Sequence, residues 1–199
     1  MRLKPTLSIL FLLISLFLQV EAQADGASPT ETIKTKVDEI ISILHRESLN
    51  ADSKWKIISD KINDSFDFRS MSQSLLETHW DKASPEEKRL CAEYFSQYLE
   101  ANYREHIESH TNHSVQYVGE SINGKDAVVN TVIIGDSDEI PVSYKMRQNN
   151  DEWTVYDMLI NEVSLMDSHR SVLSSILQSE GIEGLFRSLQ NTNLKYKDD

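Results

Sequence analysis

One cysteine, Cys91, is all the thiol chemistry in these 199 residues. No disulfide can form within the chain, so its stability must come from packing even in an oxidising compartment. Cys91 itself reads as a small core residue on a helix. Glycine and proline are sparse, at 6 and 4 residues. Neither a low-complexity linker nor an internal repeat is present, so a single domain over residues 25–199 is the economical reading. No GxxxxGK[ST] loop occurs, so the chain cannot draw on nucleotide energy itself. Basic residues are outnumbered, 20 against 32 acidic, for a formal charge of −12. Such a surface is repelled by nucleic acid and by anionic lipid headgroups.

Long apolar runs are missing too. The longest, Leu7 to Leu18, is 12 residues broken by two serines, well short of the ~20 needed to span a bilayer as a helix. Arg2 and Lys4 precede it, and Ala22-Gln23-Ala24 follows with small residues where a signal peptidase reads. Residues 1–24 therefore read as a signal peptide. With no cysteine at the cleavage site to carry a lipid, the expected product is exported, soluble and periplasmic.

What remains is patterned helix, then strand, then helix. Ser28-Pro29-Thr30-Glu31 is a capping box opening a helix with Ile33, Val37, Ile40, Ile41 and Leu44 on one face. A shorter helix carries Trp55, Ile58 and Ile62, and Phe66 to His79 reads as a third. Ser84-Pro85-Glu86-Glu87 is a second capping box, starting a helix to about His110 with Leu90, Cys91, Tyr94, Phe95, Tyr98, Leu99, Tyr103 and Ile107 inward. From Ser114 the period becomes two. Val115–Val118, Ala127–Ile134, Val142–Met146 and Trp153–Ile160 read as four strands separated by turns at Asn123-Gly124, Gly135–Asp138 and Asn149–Asp151. Helix returns from Leu165 to Gln178, is interrupted at Gly181, and resumes through Leu189. The expected class is α+β, a four-stranded antiparallel sheet packed with several helices. A twisted sheet under a long helix resembles the cone of the nuclear-transport-factor-2-like folds, which commonly encloses a cavity; the fold alone decides no function.

Two aromatic-rich segments stand out: Phe66-Asp67-Phe68-Arg69-Ser70-Met71-Ser72 and Trp153-Thr154-Val155-Tyr156-Asp157. Joined in order by His79-Trp80, Ala83-Ser84-Pro85, Ile140-Pro141-Val142-Ser143-Tyr144, Arg147, Val163-Ser164-Leu165, Arg170-Ser171, Gly181 and Gly184-Leu185, they resemble the toluene-tolerance family of periplasmic phospholipid-binding proteins. The chain departs from that pattern at Glu162, where glycine is usual, at His169, where tyrosine is usual, and at Leu173, where an aromatic is common.

The resemblance implies a carrier that holds phospholipid acyl chains between sheet and helices. It would pass lipid, as a monomer, between an outer-membrane lipoprotein–porin complex and an inner-membrane ABC transporter with a substrate-binding ring, keeping outer-membrane lipids asymmetric. No cofactor, metal or nucleic acid is implied. Apolar stripes at helical spacing are ordinarily core; the resemblance is what turns them into a lipid-cavity lining. The expected lining is Phe66, Phe68, Met71, Leu75, Phe95, Leu99 and Tyr103 from helices and Val129, Thr131, Val142, Tyr144, Met146, Val155 and Tyr156 from strands. Leu165 and Ile176 lie beyond. Which face of the last strand points inward is left open, because Trp153-Val155 and Tyr156-Met158 are both apolar.

Other constellations in the chain carry weaker chemical signals. His106, His110 and His113 are spaced as metal ligands can be, but fit better the end of a helix, where a positive imidazole suits the dipole. Asp136 and Asp138 offer too few oxygens for a calcium loop. Asp157 beside Tyr156 could be an acid–base pair of an isomerase or dehydratase inside a cone. A carrier devoted to hopanoids or another lipid is the remaining alternative.

Overall fold

In the computed structural model the described residues are 26–109, 113–136 and 138–195. The expected signal peptide and His110 lie outside them. Among the described residues, five α-helices and five strands follow one another as α1 (Pro29–Leu44), α2 (Ala51–Ser65), α3 (Phe68–Leu76), α4 (Pro85–Ser109), β1 (Ser114–Asn123), β2 (Asp126–Ile134), β3 (Glu139–Asn149), β4 (Glu152–Ile160), β5 (Val163–Ser164) and α5 (Leu165–Lys195).

The helices start where side chains satisfy their free N–H groups. Ser28 and Glu31 close a reciprocal capping box on α1, and Asn50 caps α2 by accepting from the Ser53 N–H. Ahead of α4, the Ser84 N–H donates to Glu87 Oε2 at 2.7 Å while the Glu87 N–H donates to Ser84 Oγ at 3.2 Å. Each such cap is worth about 1 kcal/mol. The third helix is shorter than its pattern predicts. Phe66 ends α2 in extended conformation, Asp67 caps α3, and Glu77–His79 tighten into a 3-10 turn. A break in α5 falls at Gly181, whose φ of 68° and ψ of −166° are open to glycine alone among ordinary residues.

The sheet is an antiparallel meander in chain order, β1-β2-β3-β4-β5. Four strands are long, as the alternation predicts. The fifth, Val163–Ser164, pairs only with Leu159 and Ile160 and is too short to show a period. It follows a tight turn in which Asn161 and Glu162 both have positive φ, the type I′ geometry that twists with its strands. β2 and β3 alternate cleanly, burying Ala127, Val129 and Thr131 and then Val142, Tyr144 and Met146. Antiparallel partners such as Val129 and Tyr144 share a face.

Candidate functional site

The interior is divided. A helix-side cluster gathers Phe68, Met71, Leu75 and Leu76 of α3, Cys91, Phe95, Tyr98 and Leu99 of α4, and Leu165, Met166, Leu173, Leu177, Leu185, Phe186 and Leu189 of α5. A sheet-side cluster holds Ile33 of α1 with Ala127, Val129, Val142, Tyr144, Met146, Trp153 and Val155. Two partly buried side chains, Phe66 and Met158, pack against both clusters. The long helix α4 packs chiefly on α3 and α5, and the sheet is covered instead by α1, α2, α3 and α5. An apolar seam therefore runs between the two layers, marked by Phe66 and Met158.

Backbone chemistry brings the two aromatic segments together at this seam. The Asp67 N–H donates to the Val155 carbonyl at 2.8 Å, and Phe66 forms an isolated parallel bridge with Val155. Phe66 also stacks on Phe68, ring centroids 5.8 Å apart. The junction of α2 and α3 is thus fastened to the middle of β4.

Phe68, Met71, Leu75, Phe95, Leu99 and Leu165 of the expected lining lie in the helix-side cluster, with Tyr103 and Ile176 partly buried on its margin. Val129, Val142, Tyr144, Met146 and Val155 lie in the sheet-side cluster. Thr131 is buried on the same strand face, its hydroxyl donating to the Val142 carbonyl at 3.1 Å. Burial raises the Tyr144 phenol to about 12, so it stays protonated. Tyr156 is the exception to the expected lining. A β-bulge pairs Lys145 with Asp157 and Met146 with Val155, leaving Tyr156 without a cross-strand partner. Its ring takes the Arg147 guanidinium at 4.8 Å and belongs to neither cluster. The same bulge resolves the inward face of β4: Trp153 and Val155 point into the sheet-side cluster, and Met158 reaches the seam.

Two polar networks border this apolar interior, and the sequence pattern gives neither. Asp157 is buried, and its carboxylate accepts from the Ser164 hydroxyl at 2.9 and 3.1 Å, from the Met166 N–H at 3.1 Å and from Lys145 Nζ at 3.0 Å. The network ties β4 to β5 and the start of α5. The second is centred on His169, one turn beyond Leu165. Its Nδ1 lies 3.1 Å from the Tyr98 hydroxyl and its Nε2 lies 3.3 Å from the Tyr103 hydroxyl. Phe95, Tyr98 and Tyr103 present ring edges or faces to the imidazole at 5.1 to 6.2 Å. Burial holds the His169 pKa below its ordinary value, favouring the neutral ring.

An open cleft of about 510 Å³ between α1 and α2 is lined by Asp38, Glu39, Arg46 and Lys61 among others. Its chemistry is charged, and none of the expected lining residues borders it. Among the described residues no group of three histidine, cysteine or carboxylate side chains could hold a metal ion. No described helix is long and apolar enough to cross a membrane.

A layered α+β domain with an apolar seam between sheet and helices is the class these features define. The family model of the MlaC protein matches residues 34–191, most of the chain, and the chain belongs to that family. It is similar to the intermembrane phospholipid transport system binding protein MlaC of Haemophilus influenzae, at 21% identity over 96% of this chain and 94% of that relative. Its fold matches a phospholipid-binding protein from Ralstonia solanacearum, solved in complex with a phospholipid. The TM-score there is 0.78 and the identity 21%, over 86% of this chain and 99% of that one.

Proposed function

We propose that this protein is a periplasmic phospholipid carrier that takes the acyl chains of its cargo into the seam between the sheet and the helices. The observation that carries the reading is the meeting of the helix-side and sheet-side clusters at Phe66 and Met158, in a chain of this family. Burying a methylene is worth ~0.8 kcal/mol, so two acyl chains of roughly 16 carbons represent about 25 kcal/mol of apolar transfer. Escape into water is negligible on that scale, and an enclosed oily site is what a shuttle requires.

The fully packed residues of the lining, such as Phe95, Val129 and Met146 at 0% exposure, define the walls that cargo parts. Phe66, Tyr103, Met158 and Ile176, partly buried at the margins, mark where the tails enter. The donor and acceptor of the lipid are proposed to be an inner-membrane ABC transporter with its substrate-binding ring and an outer-membrane lipoprotein–porin complex. The carrier works as a monomer and catalyses no reaction. Asp157, the residue best placed for acid–base chemistry in a cone, has both carboxylate oxygens engaged by Ser164, Met166 and Lys145.

Isolation of the protein from the periplasm without denaturant, followed by native mass spectrometry and lipid extraction, tests the reading. A phospholipid-sized mass increment on the folded protein is expected. A protein that emerges lipid-free and takes up no phospholipid from vesicles would sink the carrier, and an extract of hopanoid would redirect it.

A further inference from the structure

The His169 network sits in an otherwise apolar layer, between α4 and the first turns of α5, on the same helix face as the buried Leu165. Its proton count is uneven. A neutral imidazole offers one N–H and one lone pair, while the two tyrosines bring two hydroxyl protons. One contact is a tyrosine donating to the bare ring nitrogen, and the other is the ring N–H donating to a tyrosine oxygen. The accepting tyrosine then keeps a hydroxyl proton that the trio itself does not use. Tyr103 is the more exposed of the two, lying on the margin of the helix-side cluster, whereas Tyr98 is buried within it.

We propose that Tyr103, positioned by His169 and Tyr98, donates this hydrogen bond to an ester carbonyl of the bound lipid and so fixes how deeply the tails enter. This rests on the carrier reading above. A carbonyl fits better than a phosphate oxygen because the cations next in sequence to Tyr103 and His169 are already paired. Burial favours the neutral His169 ring. Arg104 is held by Asp52 and Glu108, and Arg170 by Asp167 and Glu77. A phosphate brought to this place would lack the charged donor that makes such bonds strong. Tyr103 is the group that touches cargo; His169 is a positioning residue acting through it.

The test compares a diacyl phosphatidylethanolamine with its diether analogue, which has the same headgroup and tails but no ester carbonyls. Retention of each is measured by competitive loading from mixed vesicles and native mass spectrometry. Wild-type protein is expected to retain the diester about fivefold over the diether, the effect of one hydrogen bond. Tyr103→Phe, which keeps the ring, is expected to hold the two equally. Equal retention by wild-type protein overturns the anchor, whether or not the variant folds, and leaves the carrier standing. Undiminished discrimination by Tyr103→Phe overturns it as well. A wild-type chain that holds neither lipid overturns the carrier reading and the anchor with it.

Discussion

Replacing Asp157 with alanine removes an acceptor around which three separate parts of the chain converge. The Met166 N–H and the Ser164 hydroxyl lose a charged partner in a buried setting. Hydrogen bonds to charged groups contribute roughly 1.5–3 kcal/mol, and a buried donor left unsatisfied costs about 1–3 kcal/mol. Lys145 adds little, because its side chain is 35% exposed and water takes over its solvation. The contributions overlap, since Ser164 also receives the Asp167 N–H at 3.0 Å and can still cap α5. About 3 kcal/mol of destabilisation is the expected net, close to the lower end for breaking a buried ion pair. For a chain of this size each kcal/mol moves Tm by about 2–4 °C, so the shift should be about 6–12 °C. Urea denaturation followed by far-UV circular dichroism gives the free energy directly. Asp157→Asn, which keeps one carbonyl acceptor, should lose less. A loss below about 1 kcal/mol for Asp157→Ala would refute the idea that this carboxylate anchors β4 to α5, and would reopen a chemical role for it.

Glu162→Gly should stabilise the protein by up to about 1 kcal/mol. Relief of about 1–2 kcal/mol at a φ of 67° is partly offset by the freer unfolded chain, and a higher urea midpoint is the readout. Gly181→Ala should cost about 1–3 kcal/mol through backbone strain alone, since an added Cβ there meets nothing within 4 Å; differential scanning calorimetry measures it. His169 should make stability acid-sensitive. The unfolded histidine titrates near 6.5 and the folded one lower, so the stabilising difference is full above that pH and is lost as pH falls through the folded value. Urea midpoints at pH 7.5 and 5 should therefore fall further for wild-type protein than for His169→Tyr, in which the shared carboxylates cancel.

Much of this architecture is written locally. Ser28 with Glu31 and Ser84 with Glu87 announce α1 and α4 because a cap needs a hydroxyl and a carboxylate three apart. β2 and β3 follow from strict alternation, and the end of the first arm of α5 from one glycine. β5 escapes because two residues carry no period, and its turn uses Asn161-Glu162 in place of a glycine-bearing pair. The site is only half legible. Apolar stripes give the layers, but a one-residue bulge opposite Lys145 and Met146 breaks the alternation of β4 and turns Tyr156 out toward Arg147. Asp157 with Ser164 and Met166, and His169 with Tyr98 and Tyr103, are assembled by tertiary contact between residues up to 71 positions apart. No local pattern encodes such a meeting.

Cys91 supplies a built-in clock for the interior. It is the lone thiol, sealed at 0% exposure on α4 within the helix-side cluster, and burial raises its pKa to about 11. An alkylating reagent can reach it only while α4 lifts from its neighbours, since the reactive thiolate is otherwise scarce and walled in. Its labelling rate therefore counts the excursions of that wall in the untouched native protein, with no engineered probe. A cargo that wedges the layers apart and one that glues them together would drive that rate in opposite directions.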